Sequence, residues 1–151
     1  MEPGRSIIST AGVTLYRAGS KKPGADNNSF LAVDGGMGDN PRPITYQAQY
    51  TACVANRMNE PPSDAPVTLV GKYCDGGDVI IEHTRLRADP GDLVAVFGTG
   101  AYNYSMSSNY NRTGRPACIL IANGVADIII ERESNEDLLR NDRVPSRLFH
   151  A

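Results

Sequence analysis

A mainly β fold, an antiparallel barrel or sandwich with little helix, is what this sequence predicts. Three observations carry that reading: apolar residues recur at every second position in several segments, turn residues separate those segments, and stretches with a helical period are few. The order along the chain begins with EPGRSII, which runs at once into a strand-like apolar segment, so the chain is expected to begin in mid-fold. SFLAV, at 29–33, is short, β-branched and preceded by the turn residues KKPGADNN. In ITYQAQYTACV, Ile44, Tyr46, Ala48, Tyr50, Ala52 and Val54 alternate with mostly polar neighbours, the clearest two-residue period of the chain, and predict a strand with one buried face. EPPSDAP then turns the chain into VTLVGKYC, and DVIIEH and DLVAVF follow, each bounded by glycine, proline or aspartate. SMSSNYN predicts at most a short turn of helix. ACILIA and VADIIIER flank Asn123-Gly124, a strong hairpin signal, and bring the expected strands to about seven. Finally, NEDLLRND predicts a helix start, with Asn135 as cap and Glu136 and Asp137 near its positive end.

Composition narrows the function. The 151 residues suffice for one compact core, and 15 Lys and Arg against 17 Asp and Glu give a net charge of −2, which argues against nucleic acid or an anionic membrane as partner. A small molecule or a protein is the expected partner. Cys53, Cys74 and Cys118 are an odd number at wide spacings with no CxxC, which suits neither a disulfide framework nor a zinc site and fits a reducing, cytoplasmic setting. No metal is expected. No apolar run nears the roughly 20 residues that span a bilayer, and the residues after Met1 do not form a leader.

The loop VDGGMGDNPRP is too rich in glycine for a core strand and too patterned for a linker. Its three glycines allow close backbone approach, while Pro41 and Pro43 fix the chain on either side of Arg42, so it can present that arginine rigidly. Two readings of CDGGD stand side by side: a plain turn with a half-buried thiol, or a site in which Cys74 is a proton donor or nucleophile. GTGAYNYSMSSNYN sets three tyrosines among small residues, either capping a sheet edge or reaching an anion. EPGRS offers a backbone amide at Gly4 and a guanidinium at Arg5, both suited to anions. His83 and His150 lack partners at catalytic or metal-binding spacing and read as structural or solvated, as does the mixed-charge ERESNEDLLRNDR. No nucleotide-loop, zinc-protease or serine-hydrolase motif is present.

Taken in order, EPGRSI, LYRAG, VDGGMGDNPRP followed by Tyr46, GKYCDGGD, GTGAYNYSMSSNYN and RPACILIANG resemble the C-terminal third of the diaminopimelate decarboxylase family, from Glu2 to about Leu148. That family belongs to the pyridoxal-phosphate enzymes of the alanine racemase-like fold, in which a (β/α)8 barrel carries the cofactor and a β-domain completes the site. The resemblance therefore implies that residues 1–10 end a barrel and 11–151 form the β-domain. It implies decarboxylation of meso-2,6-diaminopimelate to L-lysine, in lysine biosynthesis, with pyridoxal 5'-phosphate as cofactor. By the same match Arg42, Arg5 and Tyr46 grip a substrate carboxylate, while Gly4 gives its amide to the cofactor phosphate and Tyr102 contacts the cofactor. Cys74 and Asp75 match residues that serve the partner subunit's site, the thiol as proton donor and the acid toward the distal ammonium, which implies a homodimer through the β-domain.

The sequence departs from the family pattern twice. The family has Cys-Glu-Ser-Gly-Asp where this chain has Cys74-Asp75-Gly76-Gly77-Asp78, so the acid is one methylene shorter. A Cys-Asp-Gly run also occurs in the ornithine and arginine decarboxylase branch, which lacks the NPRP segment and is the second reading. Moreover, Lys21, Lys22 and Lys72 are the only lysines, none lies in a motif like that of the cofactor-attaching lysine, and a barrel of roughly 250 residues is absent from the chain. The chain alone is thus expected to be inactive. A non-catalytic stand-alone β-domain for dimerisation or binding is the reading from another class.

Overall fold

The computed structural model describes residues 3–25 and 27–149; Glu2 and His150, singled out above, lie outside them. The chain forms two compact units that meet between Ser108 and Asn109.

In the first unit the described elements are α1 (Arg5–Ile8), β1 (Val13–Pro23), β2 (Ser29–Val33), α2 (Arg42–Tyr46), β3 (Ala52–Val54), β4 (Val67–Val70), β5 (Val79–Thr84) and β6 (Leu93–Phe97). The six strands make one sheet in the order β3-β6-β1-β2-β4-β5. All neighbours are antiparallel except β2 and β4. That one parallel pair is possible because the chain between its strands is long enough for a crossover, and α2 lies in it. Leu31, Leu69, Val94 and Val96 are fully buried at the centre of the sheet, with Tyr16, Val54 and Ile80 packed around them. β1 is the strand that the sequence reading missed. Its apolar and polar residues do not alternate cleanly: Tyr16 and Ala18 face the core, while Val13 and Leu15 on the other face are exposed.

Two segments expected as strands are helical. At Arg5–Ile8 the Ser6 amide and hydroxyl both donate to the Pro3 carbonyl, at 2.9 and 2.6 Å, and close a first turn that the apolar Ile7 and Ile8 continue. In ITYQAQYTACV the period of two holds only from Ala48 onward. Pro41 and Pro43 hold helical φ and need no donor in a first turn, so Arg42–Tyr46 winds into α2 and stops at Gln47, whose φ is 52°. The strand itself shrinks to β3. VTLVGKYC likewise ends as a strand at Val70, because residues 71–78 fold around Asp78.

The second unit holds the hairpin of β7 (Cys118–Ala122) and β8 (Val125–Ile130), followed by α3 (Asn135–Leu139). The hairpin turn is the expected one: Asn123 at φ 52° and Gly124 at φ 78° supply the two left-handed positions that a two-residue loop requires. Helix α3 is capped one residue earlier than expected, by Ser134, whose hydroxyl accepts from the Asp137 amide while the Asp137 carboxylate accepts from the Ser134 amide. The YNYSMSSNYN region gives one 3-10 turn at Tyr104–Met106, in the first unit, and in the second an irregular turn at Tyr110–Arg112, where Asn111 and Arg112 are left-handed at φ 52° and 54°. No helix among the described residues is long and apolar enough to cross a membrane.

Glu133 fastens this unit. Its carboxylate accepts from the Arg115 side chain at 2.5 and 2.9 Å and from the Arg115 amide at 2.8 Å, and these contacts, the side-chain bond first, hold its pKa at about 2 against an ordinary 4.5. A carboxylate with a depressed folded pKa contributes stability above its unfolded value and loses it as the pH falls through the folded one. The second unit is therefore expected to loosen between about pH 4.5 and pH 2, which the Arg115 Nε–Hε resonance in an acid titration would follow. A signal that vanished well above pH 4.5 would contradict this.

Candidate active site

The glycine-rich loop before α2 is held from within. Asp39 accepts the Tyr16 hydroxyl at 2.6 Å through one oxygen and the Gly36 amide at 2.9 Å through the other, and the Asn40 amide donates to the Gly36 carbonyl at 2.9 Å. Asn40 is fully buried at the end of this loop. Burial, and then the nearby Asp39 charge, push the Tyr16 phenol well above its ordinary pKa. Burial also raises Asp39, against the Tyr16 hydroxyl, the Gly36 amide and the Lys72 charge, which lower it. The loop is thus a closed polar knot on the core strand β1, and α2 starts directly from it.

Arg42, at the first position of α2, sits between two aromatic rings. Its guanidinium carbon is 5.4 Å from the centroid of Tyr46 and 5.7 Å from that of Tyr102, within cation–π range of both. Tyr46 lies one helical turn on, a spacing of four that puts it on the same face as Arg42. Tyr102 comes from the far end of the chain's first unit and holds a left-handed φ of 62°, a conformation that costs a non-glycine residue roughly 1 kcal/mol or more. Arg42 Nε is buried and has no hydrogen-bond partner among the described residues. A guanidinium with an unused donor beside two exposed phenols has the chemistry to pair with an anion.

The Tyr102 loop is anchored by backbone contact. Thr99 and Gly100 donate their amides to the carbonyls of Gly12, at 3.1 Å, and Ser9, at 3.0 Å, and the Thr14 hydroxyl donates to that of Thr99 at 2.9 Å. This brings α1 alongside, with an Arg5 guanidinium nitrogen 3.9 Å from where a side chain on Gly98 would begin. Arg5, Ser9, Tyr50 and Gly98 line a cavity of about 330 Å³ there. A larger cavity of about 750 Å³, walled by Ile44, Gln47, Gly77 and His83 among others, contains none of the seven expected site residues.

Of those seven, Arg42, Tyr46 and Tyr102 form one cluster, and Gly4 and Arg5 lie at α1 beside the base of the Tyr102 loop. Cys74 and Asp75 are exposed on a separate turn, where the Asp75 carboxylate accepts the Gly77 amide at 2.9 Å. All three cysteines are free thiols. The sequence reading missed Asp39 and Asp78, the two acids that fix the loop and the turn. A signal was available: each closes a glycine-rich run, and an acid next to glycines folds back onto backbone amides.

Residues 6–100 match the model of the pyridoxal-dependent decarboxylase C-terminal sheet domain. A diaminopimelate decarboxylase of Synechocystis is 51% identical over 149 residues, covering 98% of this chain and 32% of that protein. One from Bacillus subtilis is 48% identical over 143 residues, 94% of this chain and 32% of its own length. Among solved structures, diaminopimelate decarboxylase from M. jannaschii in complex with L-lysine superposes with a TM-score of 0.86 at 32% identity, covering 96% of this chain and 33% of that one. The chain spans about a third of the length of the relatives it matches.

Proposed function

The chain belongs to the pyridoxal-dependent decarboxylase family by its C-terminal sheet domain, and from that premise we propose that it is the substrate-gripping part of an enzyme that decarboxylates meso-2,6-diaminopimelate to L-lysine. The observation that carries this reading is Arg42, with its buried unpartnered Nε set between Tyr46 and Tyr102. A planar guanidinium donates two parallel bonds to a carboxylate, and Tyr46 and Arg5 add a hydroxyl and a second cation to the same end of a dicarboxylic substrate. The Synechocystis and Bacillus subtilis relatives are diaminopimelate decarboxylases, and the solved M. jannaschii relative is in complex with L-lysine.

The residues present fit pyridoxal 5'-phosphate held from one side. Gly4 has a φ of 26°, a backbone that a side chain would strain, and its amide is proposed to meet the phosphate; Tyr102, whose side chain is exposed, would contact the same ligand. When bound, the cofactor supplies an electron-withdrawing ring that accepts the electron pair left by the departing carboxylate. The chain's own residues do the rest. Arg42, Arg5 and Tyr46 hold and orient the substrate; Asp75 pairs with its distal ammonium; Cys74 donates the proton that replaces the lost carboxylate. Cys74 and Asp75 stand exposed on a turn of their own, which suits service to a neighbouring copy's site and hence a homodimer through this domain. The free thiols suit the cytoplasm, a reducing compartment.

Chemistry by the chain alone is not expected. Lys21 donates to the Ala88 carbonyl at 3.0 Å and pairs with Asp89, Lys72 lies over the Tyr73 ring, and Lys22 is on the open face of β1. The test replaces the matching third of the Synechocystis relative with this chain. The chimera is expected to form lysine from diaminopimelate, and the chain by itself to form none; a chimera that acted on ornithine or arginine and ignored diaminopimelate would overturn the substrate assignment.

A further inference from the structure

Asp78 is buried, with 3% of its surface exposed, and yet it is an acid whose side chain touches neither Arg42 nor a cation at salt-bridge distance among the described residues. One oxygen accepts the Met37 amide at 2.7 Å and the other accepts the Tyr73 amide at 2.9 Å. Met37 belongs to the loop that leads into α2, and Tyr73 immediately precedes Cys74. The main chain wraps this carboxylate so closely that a side chain at Gly36 would begin 2.5 Å from it and one at Gly71 only 2.1 Å away. Backbone bonds from Lys72 to Gly35, at 2.9 Å, and from Gly71 to Asp78, at 2.8 Å, run alongside. A second link joins the same two parts, since Ile44 of α2 packs its terminal methyl onto Gly77, 2.6 Å from where a side chain there would begin.

We propose that Asp78 is a positioning residue for the active site, a clasp that joins the loop presenting Arg42 to the turn presenting Cys74 and Asp75 and so sets both at once. The inference rests on the proposed function for the tasks of those three residues, but the clasp is a property of this chain alone. The geometry asks for aspartate and nothing close to it. Asparagine offers one oxygen, and its amide group would face the second backbone N–H, donor against donor; glutamate needs room that Gly36 and Gly71 do not leave.

The test is NMR on the full 151-residue chain without ligand. In the wild type the Met37 and Tyr73 amides are expected to exchange slowly and together, at rates within about threefold of each other across temperature, as two bonds broken by one opening must. Rates that differ by more than about tenfold would mean two independent contacts and overturn the proposal. In Asp78→Asn, the Arg42 Nε–Hε resonance and the Tyr102 ring signals are expected to move while the amides of Val94 and Val96 in the core stay in place. A variant that melts earlier but leaves Arg42 unmoved would show a merely structural acid, and that too overturns it. Should Asp78→Asn fail to fold, the exchange of the wild type decides. An inactive chimera would remove the proposed function without moving either readout.

Discussion

Replacing Arg42 with lysine in the chimera is expected to lower kcat/KM for diaminopimelate roughly ten- to a hundred-fold while leaving the melting temperature of the chain nearly unchanged. The activity side follows from what lysine lacks. A hydrogen bond to a charged group is worth about 1.5–3 kcal/mol, and an ammonium is a point charge with no fork and no donor at the place of the buried Nε. The stability side is a balance. Two cation–π contacts at a partly exposed site contribute about 0.5–1 kcal/mol each, whereas a buried donor without a partner costs about 1–3 kcal/mol, so removing both together comes out close to zero. Steady-state kinetics of the chimera and thermal melts of the chain check the two halves separately. A variant that lost several degrees of stability would show Arg42 to be part of the packing instead of a waiting ligand-binding group.

That split between binding and stability also explains which parts of the molecule were legible in the sequence. Strands that bury most of their residues, such as β2, β4 and β6, announce themselves by composition, because burial on the sheet favours apolar, β-branched residues. Arg42 was legible because two prolines flank it, and prolines fix φ whatever the tertiary context. The same prolines outweigh the alternation in ITYQAQYTACV: Ile44 and Tyr46 have the spacing of a strand, yet both side chains are exposed on α2. β1 was hidden for the opposite reason: Val13 and Leu15 are apolar on the face turned away from the core, which erases the alternation. The contacts of Asp39 with Tyr16, of Asp78 with Met37 and of Arg42 with Tyr102 join residues about 20 to 60 positions apart, and no local pattern encodes such a pairing. What the sequence did contain was their shadow, glycines at each point where backbone meets backbone or carboxylate.

One of those glycines carries the largest stability effect expected in the chain. Gly12 has an ordinary extended backbone, with φ at −104°, so conformational freedom is not what it supplies. It supplies space: a methyl group there would stand 2.2 Å from Gly100 Cα and 2.3 Å from Gly100 N, and one at Gly100 would stand 2.1 Å from the Ile8 carbonyl oxygen. These are main-chain atoms, which no rotamer change can move aside, and a comfortable carbon–carbon contact needs roughly 3.5–4 Å. Gly12→Ala must therefore part the two segments by more than about 1 Å, stretching the bonds from Thr99 to Gly12 and from Gly100 to Ser9. Overpacking of about 1–3 kcal/mol and two hydrogen bonds, each worth about 1 kcal/mol and about half lost, predict a loss of roughly 2–4 kcal/mol, or about 5–15 °C in the melting temperature of a chain this size. Because the same segment leads into Tyr102, the Tyr102 ring signals should move away from their Arg42-stacked values in whatever fraction stays folded. Gly76→Ala is the control: nothing lies within 4 Å of that position and its φ is unexceptional, so its melt should overlay the wild type. If Gly12→Ala melted with it, the close approach of the two segments, and with it the anchoring of Tyr102 over Arg42, would be refuted.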